Sequence, residues 1–151
     1  MEEDILPFDS DKPIYNRTHI QLATFFGGPL AIIYILAENF KQLGQPEKVK
    51  RTWFIGIISL LLVITLGSFI PETWKIPTLV FPLIFLSVGA AIMHRIQGNE
   101  IKNHTDNGGP VYSLWRAVVV GSVCLLIMLA FLFVVAEIMD KGFVPGNGVK
   151  P

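Results

Sequence analysis

Four stretches, at roughly 18–37, 52–70, 76–93 and 117–136, contain no Asp, Glu, Lys or Arg. Each is close to the about 20 residues that a helix needs to cross the hydrocarbon of a bilayer. A soluble helical bundle of this size would place charges every three or four positions on its outer faces. These blocks place none, so lipid is the expected solvent. Mean hydropathy of +0.54 and 52% hydrophobic residues point the same way for 151 residues, a length with room for one domain. The pattern predicts an all-α integral membrane four-helix bundle with short loops and helices over about 13–43, 46–70, 77–104 and 113–141. An acidic flexible tail over 1–12 precedes them, and a flexible tail over 142–151 follows.

The first block, Thr18 to Asn39, carries Gly27, Gly28 and Pro29 near its centre. Pro29 removes a backbone donor and collides with the carbonyl of Phe25, so a kink or break is expected there. Irregular backbone at membrane depth is tolerated only against protein or a water-filled cavity, which makes this the natural central helix. Ala23, Gly27 and Ala31 lie four residues apart and form a stripe of small residues on which another helix can approach closely. Tyr34 and Glu38 continue that face. Two readings compete for the break: a packing kink satisfied by a neighbour, or a discontinuous helix whose exposed backbone binds an ion or substrate.

Along the rest of the chain, Pro13 suits a first helical turn, with Tyr15 and His19 at the membrane surface as interfacial rings. Gly44 reads as a left-handed cap and Pro46 as the opening of the second helix. Gly56 and Ser59 are expected to face neighbours, and Leu60 to Val63 to face lipid. Pro71 stops that helix, and the short link to Ile76, with Trp74 and Lys75 at the interface, makes helices 2 and 3 antiparallel neighbours. Helix 3 starts near Pro77, bends at Pro82, and presents Ser87 and Ala91 as a contact stripe. Beyond Met93 it turns polar and projects past the membrane before Gly108 and Gly109. Ser113 caps helix 4, where Ser113, Ala117 and Gly121 form a third stripe of small residues.

With four full spans both termini share a side. Lys41, Lys48, Lys50, Arg51, Arg95, Lys102 and Arg116 then lie opposite Lys12, Arg17, Lys75, Lys141 and Lys150, which puts the two longer loops in the cytoplasm and the termini outside. In that arrangement the two glycosylation-type triplets, at Asn16 and Asn103, fall on opposite sides. The acidic start of the chain lacks a basic n-region and a small-residue cleavage site, so the first block is expected to stay in the mature protein.

The residues exclude several chemistries. Zero formal charge argues against a nucleic-acid partner, and Cys124 alone can form neither an internal disulfide nor a C-x-x-C pair. No Asp, Glu, Lys, Arg or His falls near the middle of a predicted span, where proton relays and ion-coupled carriers keep one. No nucleophile triad, phosphate loop or zinc signature is present, and no cofactor is implied. Polar groups do arrive at similar depth on one side: Glu38 and Asn39 ending helix 1, His94, Arg95 and Gln97 leaving helix 3, His104 and Asp106 in the loop, and Arg116 opening helix 4. Glu38 could pair with Arg95 or Arg116, and His94 and His104 could join a carboxylate on a metal. The alternative is an ordinary polar interface with snorkelling arginines. With Gly27, Gly28 and Pro29, these residues are the candidate binding positions.

The motifs F-F-G-G-P-L-A and A-E-N-F-K-Q-L-G in and after helix 1, Q-G-N-E-I-K-N-H-T-D-N-G-G before helix 4, and S-L-W-R-A-V-V-V-G at its start together resemble a group of small bacterial multi-span membrane proteins. The resemblance implies a bacterial cytoplasmic membrane and carries no activity with it. The expected function is a non-enzymatic component that binds a membrane protein partner, forms a homo-oligomer or organises the lipid bilayer. A small oligomeric carrier or channel using the helix 1 break is the alternative, and a membrane-embedded enzyme using the polar cluster is the third reading.

Overall fold

A computed structural model describes residues 11–68 and 80–142. It contains four helices, α1 (Arg17–Gln42), α2 (Pro46–Ser68), α3 (Val80–Asp106) and α4 (Leu114–Gly142), and no strand among the described residues. By length and composition, three helices are long and apolar enough to cross a membrane: α1, the Pro46–Leu66 part of α2, and the Leu114–Ile138 part of α4. The expected helix 2 stop at Pro71, the interfacial Trp74 and Lys75, the start at Pro77, the side chain of Pro82 and most of both tails lie outside the described residues.

The break in α1 is much larger than a kink. Gly28 alone leaves helical geometry, with φ 58° and ψ −149°, a conformation essentially restricted to glycine. Pro29 then begins a new helical run, a position where its missing N–H costs nothing. The two halves, here α1a before Gly28 and α1b after it, fold back on each other. The Tyr15 N–H donates to Asn39 Oδ1 at 2.7 Å across 24 residues, a separation of about 36 Å in a straight helix. Tyr112 likewise touches both ends of α1, accepting from Gln42 through its hydroxyl and from His19 through its carbonyl. The start and end of α1 therefore lie at one end of the bundle rather than at opposite ends. Asn16 and Asn103 now sit toward the same end.

The folded-back α1 is the hub. Among the described residues the backbones of α2, α3 and α4 each come close to α1 and not to one another. α2 and α3 run antiparallel on either side of a cleft, as their short link leads one to expect, and an ion pair between Lys48 and Glu100 at 3.5 Å joins them at one end. A Cβ on Gly56 would fall 2.6 Å from the Ile33 side chain, so α2 seats on α1b. Gly89 of α3 faces both Ile32 and Thr24, one from each half of α1. On α4 the stripe of small residues closes on α1a: a Cβ on Gly27 would meet the Gly121 carbonyl oxygen at 2.6 Å and Cys124 at 2.7 Å, and one on Gly121 would meet the Ala23 carbonyl at 2.7 Å. Ala23, Ala31 and Ala117 are fully buried there, as the small-residue spacing predicts.

The stripe on α3 differs from expectation. Ser87 and Ala91 are exposed, and the buried face runs through Gly89, Ala90, Met93 and Gln97. Ser87 returns its hydroxyl proton to the Leu83 carbonyl of its own helix, the usual fate of a serine with no partner across a helix interface. Leu61, Leu62 and Val63 are exposed, as are Leu126, Leu129 and Phe133 on α4, the faces that lipid would cover. Ser59 is exposed as well.

Caps follow the residues that mark them. Gly44 has φ 70° after α1 and Pro46 opens α2. The Arg116 N–H donates to Ser113 Oγ at 3.4 Å before α4. Pro13 does not open α1; Asn16 does, accepting from the backbone N–H groups of Thr18 and His19 in a capping box. The residues ahead of it are extended instead. Ile14 lies beside Val111 in an isolated bridge, donating to the Pro110 carbonyl at 3.2 Å and accepting from the Tyr112 N–H at 3.0 Å. The chain entering α1 is thus tied to the chain entering α4.

Candidate functional site

The end of the bundle where α1 begins and ends holds a buried polar cluster. Asn39, fully buried, uses its whole amide: Oδ1 accepts the Tyr15 N–H at 2.7 Å, and Nδ2 donates to the Tyr15 carbonyl at 2.8 Å and to Gln97 Oε1 at 3.1 Å. Gln97, also fully buried, donates from Nε2 to the Leu36 carbonyl at 2.9 Å. Two amides thus stitch α1a to α1b and α1b to α3. Both are neutral, so their burial costs far less than that of a charge once each donor and acceptor is matched.

A second set surrounds Tyr15 and Tyr112, whose rings pack with centroids 4.4 Å apart. Arg116 Nε donates to the Tyr15 hydroxyl at 3.0 Å, and its guanidinium lies 4.0 Å over the Tyr112 ring, a cation–π arrangement. Burial pushes both phenols above their ordinary value of 10.0, against an opposing pull from the Arg116 charge. They remain neutral at physiological pH. His19 Nε2 donates to the Tyr112 carbonyl at 2.6 Å, which fixes the tautomer because a carbonyl can only accept.

His104 is buried and donates from Nε2 to the Pro110 carbonyl at 3.0 Å, the same oxygen that receives the Ile14 N–H. The ring lies directly against Gly109, where any Cβ would overlap it, while Gly108 makes the turn at φ 75°. The Gly-Gly pair therefore serves two purposes, one of backbone conformation and one of space.

These positions differ from the convergence that sequence suggested. Glu38 pairs with Lys41 at 3.6 Å and accepts from Gln42 Nε2 at 2.6 Å rather than meeting Arg95 or Arg116. His94 and Arg95 are exposed on α3, and His94 borders a separate shallow crevice with Arg17 and Gln21. Glu38, His94 and His104 do not come together. Among the described residues no three His, Cys, Asp or Glu side chains are placed to hold a metal ion. His19 and Tyr15 are not open rings but are packed inside the protein, 2% and 0% exposed.

Tyr15, Tyr112 and Gln42 escaped the sequence reading because their partners come from opposite ends of α1. The one available signal was symmetry: Tyr15 and Asn39 lie at nearly equal distances before and after Gly28.

The remaining concave feature is a cleft of about 500 Å³ between α2 and α3, floored by α1b. Pro29 lies at one end and Lys48 and Arg51 at the other, with Ile33, Leu36, Ile55, Leu60 and Val88 among the apolar side chains between. Comparison with protein-family models, curated proteins and solved structures finds no match to this chain.

Proposed function

We propose that the chain is a non-enzymatic component of a bacterial cytoplasmic membrane that binds a partner within the bilayer or organises lipid around itself. The observation that carries this reading is how the polar cluster is used. Asn39, Gln97, His19 and His104 are buried and spend their hydrogen bonds on holding α1 folded and tying it to its neighbours. A set so occupied is a lock on the fold. The largest surfaces left open to the surroundings are mainly apolar: the inner part of the α2–α3 cleft and the exposed faces of α2 and α4.

The membrane arrangement follows from the same lock. In this reading α1 is a re-entrant hairpin whose tip at Gly28 and Pro29 reaches the bilayer interior, and α2, α3 and α4 cross. The polar end of the bundle then gathers Lys12, Arg17, Lys41, Lys48, Lys50, Arg51, Arg95, Lys102 and Arg116, leaving Lys75, Lys141 and Lys150 for the other side. That imbalance places the N-terminus and the polar end in the cytoplasm and the C-terminus outside, since basic loop residues set orientation. It replaces the arrangement with both termini outside. Reporter fusions to the two termini test it: opposite-side signals are expected, and same-side signals would overturn the re-entrant reading. Extraction in mild detergent tests the function. Co-purification of a discrete membrane protein or of tightly held lipid is expected, and a bare monomer would refute it.

One observation favours a second reading. The cleft reaches the broken backbone at Pro29, the kind of place where carriers bind substrate. Reconstituted protein that moves a solute, with the flux abolished by Pro29→Ala, would replace the first reading with that of a small carrier.

A further inference from the structure

The cleft has a defined length and a chemical polarity. On α1b its lining runs from Phe40 to Pro29, on α2 from Lys48 to Val63 and on α3 from Ile96 to Phe85. At 1.5 Å per residue the α1b and α3 walls are about 16 Å long and the α2 wall about 22 Å; the uncharged part of the α2 wall, from Thr52 inward, is also about 16 Å, roughly half of the ~30 Å hydrocarbon core. Both basic lining residues, Lys48 and Arg51, stand at the polar end of the bundle, and every lining residue beyond Thr52 is uncharged. Lys48 lies 3.5 Å from Glu100 and 5.4 Å from the centre of the Phe40 ring, so its ammonium is held at the cleft mouth. Arg51 is exposed beside it.

From this geometry we infer that the cleft seats one acyl chain of an anionic phospholipid from the cytoplasmic leaflet, with its phosphate between Lys48 and Arg51. The depth argues against a transmembrane partner helix, which would need a groove along the whole bilayer, whereas a single lipid chain ends at the midplane. The walls of Ile, Leu, Val and Phe suit a hydrocarbon chain better than a hydrated solute. The charge argues for an anionic headgroup: basic residues at a membrane surface favour anionic lipid, and guanidinium and ammonium groups donate to phosphate oxygens. Gly56 belongs to the same design, since its missing side chain lets Ile33 rise against α2 and close the cleft floor. The inference rests on the membrane orientation proposed above.

Native mass spectrometry of the full chain in mild detergent tests it, with phosphatidylglycerol and phosphatidylcholine of identical acyl chains as probes. One phosphatidylglycerol per chain is expected, held about tenfold more tightly than phosphatidylcholine. The K48Q/R51Q double variant should bring that preference close to unity, and Ser59→Trp, at an exposed lining position, should weaken both lipids. Inorganic phosphate alone should displace neither. A photo-crosslinker at Ser59 supplies a readout that survives if the tryptophan variant does not fold: labelling of lipid acyl chains is expected. Equal binding of the two lipids, a preference that survives the double variant, or crosslinking to a second copy or another protein would each overturn the lipid site. A protein partner that co-purifies while phosphatidylglycerol shows no preference would sink this inference and leave the broader reading standing.

Discussion

Replacing Asn39 with leucine tests the lock directly. Leucine is the apolar residue closest in shape to asparagine, so the change removes polar atoms with little change in packing. It leaves the Tyr15 N–H and carbonyl without their partners at 2.7 and 2.8 Å, and takes a 3.1 Å donor from Gln97. Each buried, unmatched backbone group costs about 1–3 kcal/mol. Side-chain hydrogen bonds between membrane helices average only ~0.6 kcal/mol, because the partners separated in the membrane find others. Tyr15 is different: it precedes the helix and is 0% exposed, so neither an α-helical partner nor solvent replaces the lost one. A loss of about 3 kcal/mol is therefore expected, a large fraction of the ~5–15 kcal/mol that typically holds a domain together. Gln97→Leu is the internal comparison. It removes one donor from the Leu36 carbonyl, which lies within α1b where the helix already engages it, and one of the two acceptors of Asn39 Nδ2, which keeps the Tyr15 carbonyl, so about 1–2 kcal/mol is expected. Unfolding of both variants by SDS titration in mixed micelles, followed by circular dichroism, measures the difference. If Asn39→Leu costs under about 1 kcal/mol, or no more than Gln97→Leu, the amide does not hold α1 folded and the reasoning fails.

Four further outcomes follow from the same geometry. Spin labels at Thr18 and Lys41, both exposed, should in a Cys124→Ala background report a separation well short of the about 35 Å of a straight helix; a distance near that value would refute the fold-back. Gly28→Ala should destabilise by about 1–3 kcal/mol although nothing lies within 4 Å of the new methyl, because the cost is conformational, and an unchanged melting temperature would contradict the assigned φ. Gly27→Leu should disrupt the α1a–α4 contact far more than Leu61→Ala, at a position 49% exposed, disturbs anything; equal tolerance in a thermal shift assay would show that the inner face is misassigned. Because the folded state raises the pKa values of Tyr15 and Tyr112, their contribution is complete below the unfolded value of 10.0 and is lost as pH rises through the folded values. Melting temperature should therefore fall from about pH 9 to 11 more steeply in the native protein than in Tyr112→Phe, and parallel curves would dispose of the idea.

The four apolar blocks made an all-α membrane protein legible from sequence. The spacing of Ala23, Gly27, Ala117 and Gly121 likewise marked the tightest contact, because helical periodicity is a local property. Where α1 goes after Gly28 was not legible. Pro29 and the glycines announced a break, yet a break of 20° and one that returns the chain on itself carry the same residues. The decision rests on long-range bonds between Tyr15, Asn39, Gln97 and Tyr112, none closer in sequence than 24 positions. The candidate site suffered for the same reason. Depth was assigned by counting along a straight α1, so Tyr15 and His19 were placed one membrane thickness away from Glu38 and Asn39. Of the polar residues read as one open cluster, Asn39, Gln97 and His104 became interior bolts once the two ends met, while His94 and Arg95 stayed outside.

That the other three helices gather on α1 has a consequence for biogenesis. When α1 leaves the ribosome its amide at Asn39 and its row of small residues have no one to greet them, since Gln97, Tyr112 and Gly121 are still to be made. The first of the four helices to be synthesised is thus among the last to settle. A chain cut short before α4 would carry an unfinished hairpin, with the small residues Ala23 and Gly27 left uncovered.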